Sequence, residues 1–330
     1  LLRSSVYQLK YMDSVPDHAV CSEAVKLAVR KGFSGLRGYV NGVLRNVVRK
    51  MDEIEYPKED VQRLSVKYSV PEWSLSLWKK EYGEEITEKM AADFQKEKPI
   101  TIRCCMNQVT PEVLKEKLEA EGAKVEAHPY LPYAFYLSDY DYLEGLESFQ
   151  EGLFAVQDIS SMFVGELADP KAGDHVIDVC AAPGGKSLHV AEKLQLADEV
   201  AARENGTEEK TGRVEARDLT EYKTDLIEEN KDRMCYENVE VQQWDALVED
   251  ESLLESVDVL LADLPCSGLG IMGRKNDIKY QMTQQQLSEL AQLQRDILSV
   301  IWRYVKPGGE MIFSTCTLNR GENVENIRWI

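Results

Sequence analysis

Five apolar, strand-like runs at 175–181, 213–218, 239–244, 257–262 and 310–314 are separated by segments with helical periodicity. This alternation constrains the fold of the C-terminal half more than any other feature, because strands alternating with helices build a mostly parallel sheet covered on both faces. Before the last strand, Leu287, Leu290, Leu293, Ile297, Ile301 and Val305 form a helical stripe, stopped by Lys306-Pro307-Gly308-Gly309. Such sheets bind ligands beyond the carboxyl ends of their strands. The chemistry-bearing motifs fall there: Asp178 to Ser187, Asp218, Asp245, Asp263 to Gly270 and Ser314 to Thr317.

Asp178-Val179-Cys180-Ala181-Ala182-Pro183-Gly184-Gly185-Lys186-Ser187 reads as a strand, a tight glycine turn and a helix start. The glycines let backbone approach a ligand closely, with helix-start N–H groups aimed at a negative group. Asp218 closes the second strand, where acidic residues of nucleotide folds accept ribose hydroxyls. Asp245 follows the third, and for either Asp taken singly a loop cap is a rival reading. In Asp263-Leu264-Pro265-Cys266-Ser267-Gly268, Pro265 gives a rigid turn that holds the Asp263 carboxylate and Cys266 thiol toward one pocket. Cys316 follows the last strand in Ser314-Thr315-Cys316-Thr317. A cysteine leaving a buried strand is by default a small core hydrophobe; two in such contexts point to chemistry.

The N-terminal half has a different character. Residues 1–50 carry helical periodicity, with Val40, Leu44, Val47, Val48 and Met51 on one stripe and Asn41, Arg45 and Arg49 on another face. The net charge of −19 runs against nucleic-acid binding, yet residues 1–50 hold nine Lys/Arg against three Asp/Glu. The balance is +6 there, −9 over 51–150 and −16 over the remainder, so any surface facing nucleic acid is expected at the N-terminal end. Tyr56-Pro57 marks a first boundary. The segment with Pro71, Trp73 and Trp78 reads as helical, its aromatics as packing. A strand at 100–104, a helix at 111–121 and a strand at 133–137 suggest a small α/β subdomain. Acidic stretches at 198–209 and 249–255 read as solvated loops and helix ends. Seven cysteines without a C-x-x-C pair, and four scattered histidines, give no metal-site spacing and suit free thiols in a reducing compartment. The chain begins Leu1-Leu2-Arg3 within a helical pattern and ends at Ile330, soon after the Cys316 strand, which reads as a fragment cut at both ends.

Together these blocks resemble the S-adenosylmethionine-dependent RNA cytosine-5 methyltransferases and, within them, the RsmB/Fmu (Sun) type that modifies small-subunit ribosomal RNA. Tyr39-Val40-Asn41-Gly42-Val43-Leu44-Arg45 resembles the signature of that type's all-helical, NusB-like N-terminal domain. Gly152-Leu153-Phe154-Ala155-Val156-Gln157-Asp158-Ile159-Ser160-Ser161 is similar to the block opening its catalytic domain, where Gln157 and Asp158 shape the cofactor pocket or Asp158 and Ser160 serve helix entry. The expected architecture is multidomain: an all-α NusB-like domain over 1–56, a helical linker and small α/β RNA-binding subdomain over 57–150, and an α/β Rossmann-like methyltransferase domain over 151–330.

The resemblance implies Cys316 as nucleophile, Cys266 in proton removal and product release, and Asp263 holding cytosine at its N3/N4 edge. It implies S-adenosyl-L-methionine held by Cys180 to Lys186, Asp218, Asp245 and Asp263, and RNA contacts from Asn41, Arg45, Arg49, Arg274 and Lys279. The Arg274 loop departs from the family's Arg-Arg-x-Pro-Asp-Ile-Lys at Gly273 and Asn276, and Arg103-Cys104-Cys105 stands where relatives carry Arg-Val-Asn. The implied partner is 16S rRNA or an early small-subunit assembly intermediate, for a cytoplasmic, monomeric enzyme without a metal or a membrane segment. Rivals are a cytosine-5 methyltransferase acting on DNA or on another RNA such as tRNA, and a non-catalytic RNA-binding assembly factor. If Arg45 and Arg49 contact phosphates, replacing both with Ala should weaken RNA binding and lower its salt slope by about 2. Unchanged affinity and slope would make that helix face merely solvated.

Overall fold

The computed structural model describes residues 1–96, 98–205 and 211–330. Its described residues include strands β1 (Ile100–Cys104), β2 (Lys124–Ala127), β3 (Ala134–Ser138), β4 (Phe154–Val156), β5 (His175–Asp178), β6 (Arg213–Asp218), β7 (Val239–Gln243), β8 (Val257–Asp263) and β9 (Val305–Ser314). They divide into two compact units, Leu1–Glu88 and Lys89–Ile330.

The first unit is helical. Helices Asp17–Arg30 and Arg37–Arg49 bury Cys21, Ala24, Ala28, Val40 and Leu44 in one core. The expected stripe thus faces inward, while Arg45 and Arg49 are exposed. Further along, Trp78 and Leu75 of helix Glu72–Tyr82 are fully buried, as is Leu64 of helix Asp60–Tyr68, in keeping with the packing role read from sequence.

In the second unit β5 to β9 form one sheet, order β7-β6-β5-β8-β9, with every pair parallel. Side-chain alternation splits its strands between two cores: Val176, Val259 and Leu261 join one, Ile177, Leu260 and Ala262 the other. Helix Gly185–Asn205 covers the first face, and helix Gln284–Ile301, started by a Thr283/Gln286 capping box, covers the second. The expected helix stop at Lys306–Gly309 lies instead within β9, which already pairs at Val305 with Val257; a register shift between Val257 and Val259 absorbs the extra residues. The acidic stretch at 198–209 also departs from a solvated loop. Its first part continues the helix to Asn205, and buried Asp198 accepts the Gly173 and Gly212 N–H groups; 206–209 lies outside the described residues.

A four-stranded antiparallel sheet, order β2-β3-β1-β4, packs with helix Pro111–Ala120 around a core of Ile102, Leu114, Leu118, Phe135 and Phe154. Strands β2 and β4 were not expected: β2 is short and three of its four residues are exposed, which mutes its pattern. β4, read as the opening of the catalytic domain beyond the boundary at 150/151, pairs with β1 in the small sheet.

A buried ion pair ties that sheet to the larger one. Arg103 of β1 and Glu192 of helix Gly185–Asn205 are both 0% exposed, with N···O 3.0 Å. The Tyr236 hydroxyl and the Met106 N–H also donate to Glu192 Oε2, at 2.7 and 3.0 Å, and Arg103 Nε donates to Gln157 Oε1 at 2.9 Å. Burial pushes the guanidinium pKa down and Glu192 pushes it up; the net shift is upward, so the guanidinium stays charged. Removing one partner strands the other's charge. Glu192→Ala should therefore cost roughly 3–5 kcal/mol in denaturant unfolding, and a loss below about 1 kcal/mol would mean that the pair is not holding the sheets together.

Candidate active site

β8 and β9 pair in a register that sets Asp263 beside Ser314, and Ser314 Oγ donates to Asp263 Oδ1 at 2.8 Å. Each chain then turns out of the sheet within three residues. The Gly270 N–H donates to the Cys316 carbonyl at 3.0 Å, and a Cβ at Gly270 would lie 2.8 Å from that oxygen, so the two turns can approach this closely only with glycine there. The result is a pair of thiols, Cys266 Sγ and Cys316 Sγ, 3.2 Å apart. Cys266 is half-buried and Cys316 exposed.

The two sulfurs are not equivalent. A hydrogen bond from Cys266 lowers the Cys316 pKa most, burial and Asp263 raise it, and Lys186 lowers it; the net result is about 7. Cys266 is pushed well above its ordinary value, first by donating to Cys316 and second by burial. The shifts favour the thiolate at the more exposed Cys316, with Cys266 placed to donate to it.

Three more strand ends converge on this edge. After β5, Gly184 adopts φ +103°, a left-handed conformation that favours glycine, and at Gly185 an added Cβ would meet only Gln157 Cγ, at 4.0 Å. Lys186, at the start of the following helix, donates to Asp263 Oδ2 at 2.5 Å. Ser187 Oγ donates to buried Asp178 at 2.6 Å; burial raises that carboxyl to about 7. Asp218 is 3% exposed and accepts from Ala182 N (3.0 Å), Leu219 N (2.7 Å) and Lys223 Nζ (2.8 Å). It thus braces the Ala182 turn, with exposed Lys223 as its displaceable partner. Asp245 is exposed and caps its own turn by accepting the Leu247 N–H at 3.0 Å. Burial pushes the half-buried Cys180 thiol up, as packing beside the turn requires.

Open glycine backbone, a helix start and acidic strand ends fit S-adenosylmethionine, whose carboxylate, ammonium and hydroxyls need these groups. Gln157 Nε2 is buried without a hydrogen-bond partner among the described residues and its side chain borders Gly185, which adds an unused donor to the same edge.

Other expected residues sit differently. Lys279, expected to contact RNA, is 6% exposed, and desolvation lowers its pKa. Arg274 forms an ion pair with Asp158 and donates to Thr101 Oγ1 at 3.4 Å. Asp158 holds the N-cap position of helix Ile159–Ala168 without a capping bond, its carboxylate being taken by Arg274. Cys105, at the relatives' Asn position, is fully buried. In the first unit Arg45 Nε donates to Asn41 Oδ1 at 3.1 Å, one helical turn away. Sequence reasoning missed Glu322, which is fully buried and bonded to Ser267 beside Cys266. Its polar neighbourhood, Asn319-Arg320-Gly321-Glu322-Asn323, carries no signal of burial.

Comparison with known proteins gives a consistent picture. Residues 166–330 match the 16S rRNA methyltransferase RsmB/F family, 1–49 the NusB family, and 70–140 the ferredoxin-like domain of RsmF/B-like methyltransferases. The chain is 37% identical to the probable ribosomal RNA small subunit methyltransferase B of Bacillus subtilis (strain 168), over 99% of its own length and 70% of that protein's. It is 32% identical to ribosomal RNA small subunit methyltransferase B of Enterobacter sp. (strain 638), over 99% and 72%. Among solved structures it is similar to PH0851 (TM-score 0.79, 27% identity, 99% of this chain and 71% of that one). It shares its fold with NSun6 from Pyrococcus horikoshii with SFG (TM-score 0.68, 22% identity, 78% and 86%).

The thiol asymmetry can be measured without substrate. Site-resolved iodoacetamide labelling of Cys316 should rise with pH through a midpoint of about 7, because the thiolate fraction grows above it. Cys266→Ala removes the hydrogen-bond donor and should move the midpoint upward. An unmoved midpoint would mean that Cys266 does not stabilise the thiolate.

Proposed function

Because the chain belongs to the RsmB/F family of 16S rRNA methyltransferases, we propose that it methylates C5 of a cytosine in 16S rRNA from S-adenosylmethionine, through a covalent Cys316–C6 adduct. The observation that carries this reading is the pair of thiols 3.2 Å apart beside the Lys186–Asp263 ion pair.

Cytosine C5 is too weak a nucleophile to take a methyl group unaided. Cys316, already shifted toward the thiolate, adds to C6 and pushes electron density onto C5. Asp263 accepts from the N4 amino group at the base's N3/N4 edge, and the Lys186 ammonium beside it is the cation that meets the negative charge building there. Ser314 holds the other Asp263 oxygen and so fixes the carboxylate's orientation. S-adenosylmethionine, held by Cys180 to Lys186, Asp218, Asp245 and Asp263, supplies the methyl group.

Release needs a base for the C5 proton. The Cys266 pKa is raised chiefly by its hydrogen bond to Cys316. Once Cys316 is bonded to C6 that cause disappears, so Cys266 can lose its proton to solvent and accept the one from C5. The C5–H electrons then reform the C5–C6 double bond as the C6–S bond breaks, returning Cys316 as thiolate. The target cytosine has to be unpaired or flipped out, since C6 is attacked from above the ring.

In this reading Asn41, Arg45 and Arg49 meet rRNA phosphates, Arg274 turns from Asp158 to RNA, and Lys279 acts from a largely buried position. The substrate is 16S rRNA or an early small-subunit intermediate, met by a monomer in the cytoplasm, where thiols stay reduced. Among the described residues no helix is long and apolar enough to cross a membrane.

With 16S rRNA and S-adenosylmethionine, Cys316→Ala should lose both methylation and covalent adduct. Cys266→Ala should accumulate a methylated adduct, seen as a slow band on a denaturing gel, because attack survives and elimination stalls. An adduct that persists without Cys316 would reverse the assignment, and no adduct from wild type would leave a non-catalytic RNA-binding role.

A further inference from the structure

Behind the two thiols lies a buried carboxylate that the chemistry above does not use. Glu322 is 0% exposed. Its Oε2 accepts the Ser267 N–H at 2.7 Å, and its Oε1 accepts Ser267 Oγ at 2.6 Å and Asn319 Nδ2 at 2.9 Å. Gln294 Nε2 reaches Oε2 at 3.5 Å while donating to the Pro265 carbonyl at 2.8 Å.

The hydrogen directions follow from the carboxylate accepting only. Ser267 gives its hydroxyl proton to Glu322, so at 2.6 Å Thr317 donates to Ser267 Oγ, and the Asn319 N–H donates to Thr317 Oγ1 at 3.2 Å. This directed chain joins two loops at the residues immediately after Cys266 and Cys316. The Ser267 N–H that Glu322 holds belongs to the peptide group of the Cys266 carbonyl.

We propose that Glu322 is a positioning residue for the two-thiol centre, its buried carboxylate clamping the Ser267 turn to the Thr317–Asn319 loop and thereby fixing the Cys266–Cys316 separation. The inference rests on the reading of these cysteines as the reacting thiols. Burying a carboxylate is costly unless its lone pairs are filled. A neutral amide of the same shape would serve packing alone, but its NH2 would face the donors of Ser267 or Asn319. Only the carboxylate accepts all of them.

The sign of the effect on Cys316 separates clamping from simple charge. The groups bearing on the Cys316 thiol are Cys266, Asp263 and Lys186. Taking away the Glu322 charge would by electrostatics favour the thiolate and lower its labelling midpoint. Loosening the clamp lengthens the Cys266 hydrogen bond and raises it.

The test is site-resolved iodoacetamide labelling of Cys316 against pH in the whole protein, without RNA or S-adenosylmethionine. Glu322→Gln should move the midpoint upward by about one pH unit. Ser267→Ala, which removes one clamp bond and no charge, should move it the same way and serves if Glu322→Gln does not fold. Asn326→Ala is the control. Asn326 is fully buried and donates to Gln294 Oε1 at 2.7 Å in the same polar cluster, without touching Ser267 or Thr317. It should lower the melting temperature and leave the midpoint in place. A midpoint that falls or stays in Glu322→Gln and Ser267→Ala, or rises equally in Asn326→Ala, overturns the proposal. Adduct formation by wild type is scored separately: if it is absent while the midpoint moves as expected, the functional reading fails and the clamp stands.

Discussion

Parallel pairing of β8 with β9 in one register, Asp263 beside Ser314, is the constraint on which the rest of the site depends. A shift of one residue would turn Leu260 and Ala262 from one core to the other and exchange the faces of every following side chain. Burial of β8 on both faces holds that register. Cys266 and Cys316 then leave the sheet side by side. The same strand ends set Asp263 within reach of Lys186, so a cation, a carboxylate and two thiols share one edge with open glycine backbone. The Gly270–Cys316 and Ser267–Glu322 bonds bring the two turns together beyond the point where the sheet's own hydrogen bonds end.

Much of this was legible in the chain. Strands β1 and β6 fall on the expected residues, and β5, β7 and β8 differ by a few at one end. The reason is that buried parallel strands read as nearly continuous apolar runs. Elements that rest on tertiary contacts were not legible. β4 is only three residues long and is defined by its pairing with β1. The extension of β9 through Pro307 and two glycines depends on a register shift that local propensity does not encode. The motifs located the thiols, but not the 3.2 Å contact between them that favours the thiolate at Cys316. The burial of Lys279 was not legible, because sequence gives a residue's type and not its desolvation.

The net charge of −19 takes on a different meaning in the folded chain. Part of the acidity around 249–255 is paired within the chain: Asp250 with buried Arg217, and Glu249 with Arg303 at the surface. Glu192, Asp198, Asp218 and Glu322 are buried acceptors. Acidic groups so engaged leave the exposed Arg45 and Arg49 helix as a separate, basic face in the first unit. An acidic chain can then meet RNA locally without binding it everywhere.

The central claim is that Cys316, not Cys266, forms the bond to the base. The most direct measurement uses 16S rRNA in which 5-fluorocytidine replaces cytidine, so that methyl transfer leaves no C5 proton to remove and the adduct is trapped. Proteolysis and mass spectrometry then identify the cysteine carrying the nucleotide. The account predicts that it is Cys316, with Cys266 unmodified. A nucleotide on Cys266 would contradict it.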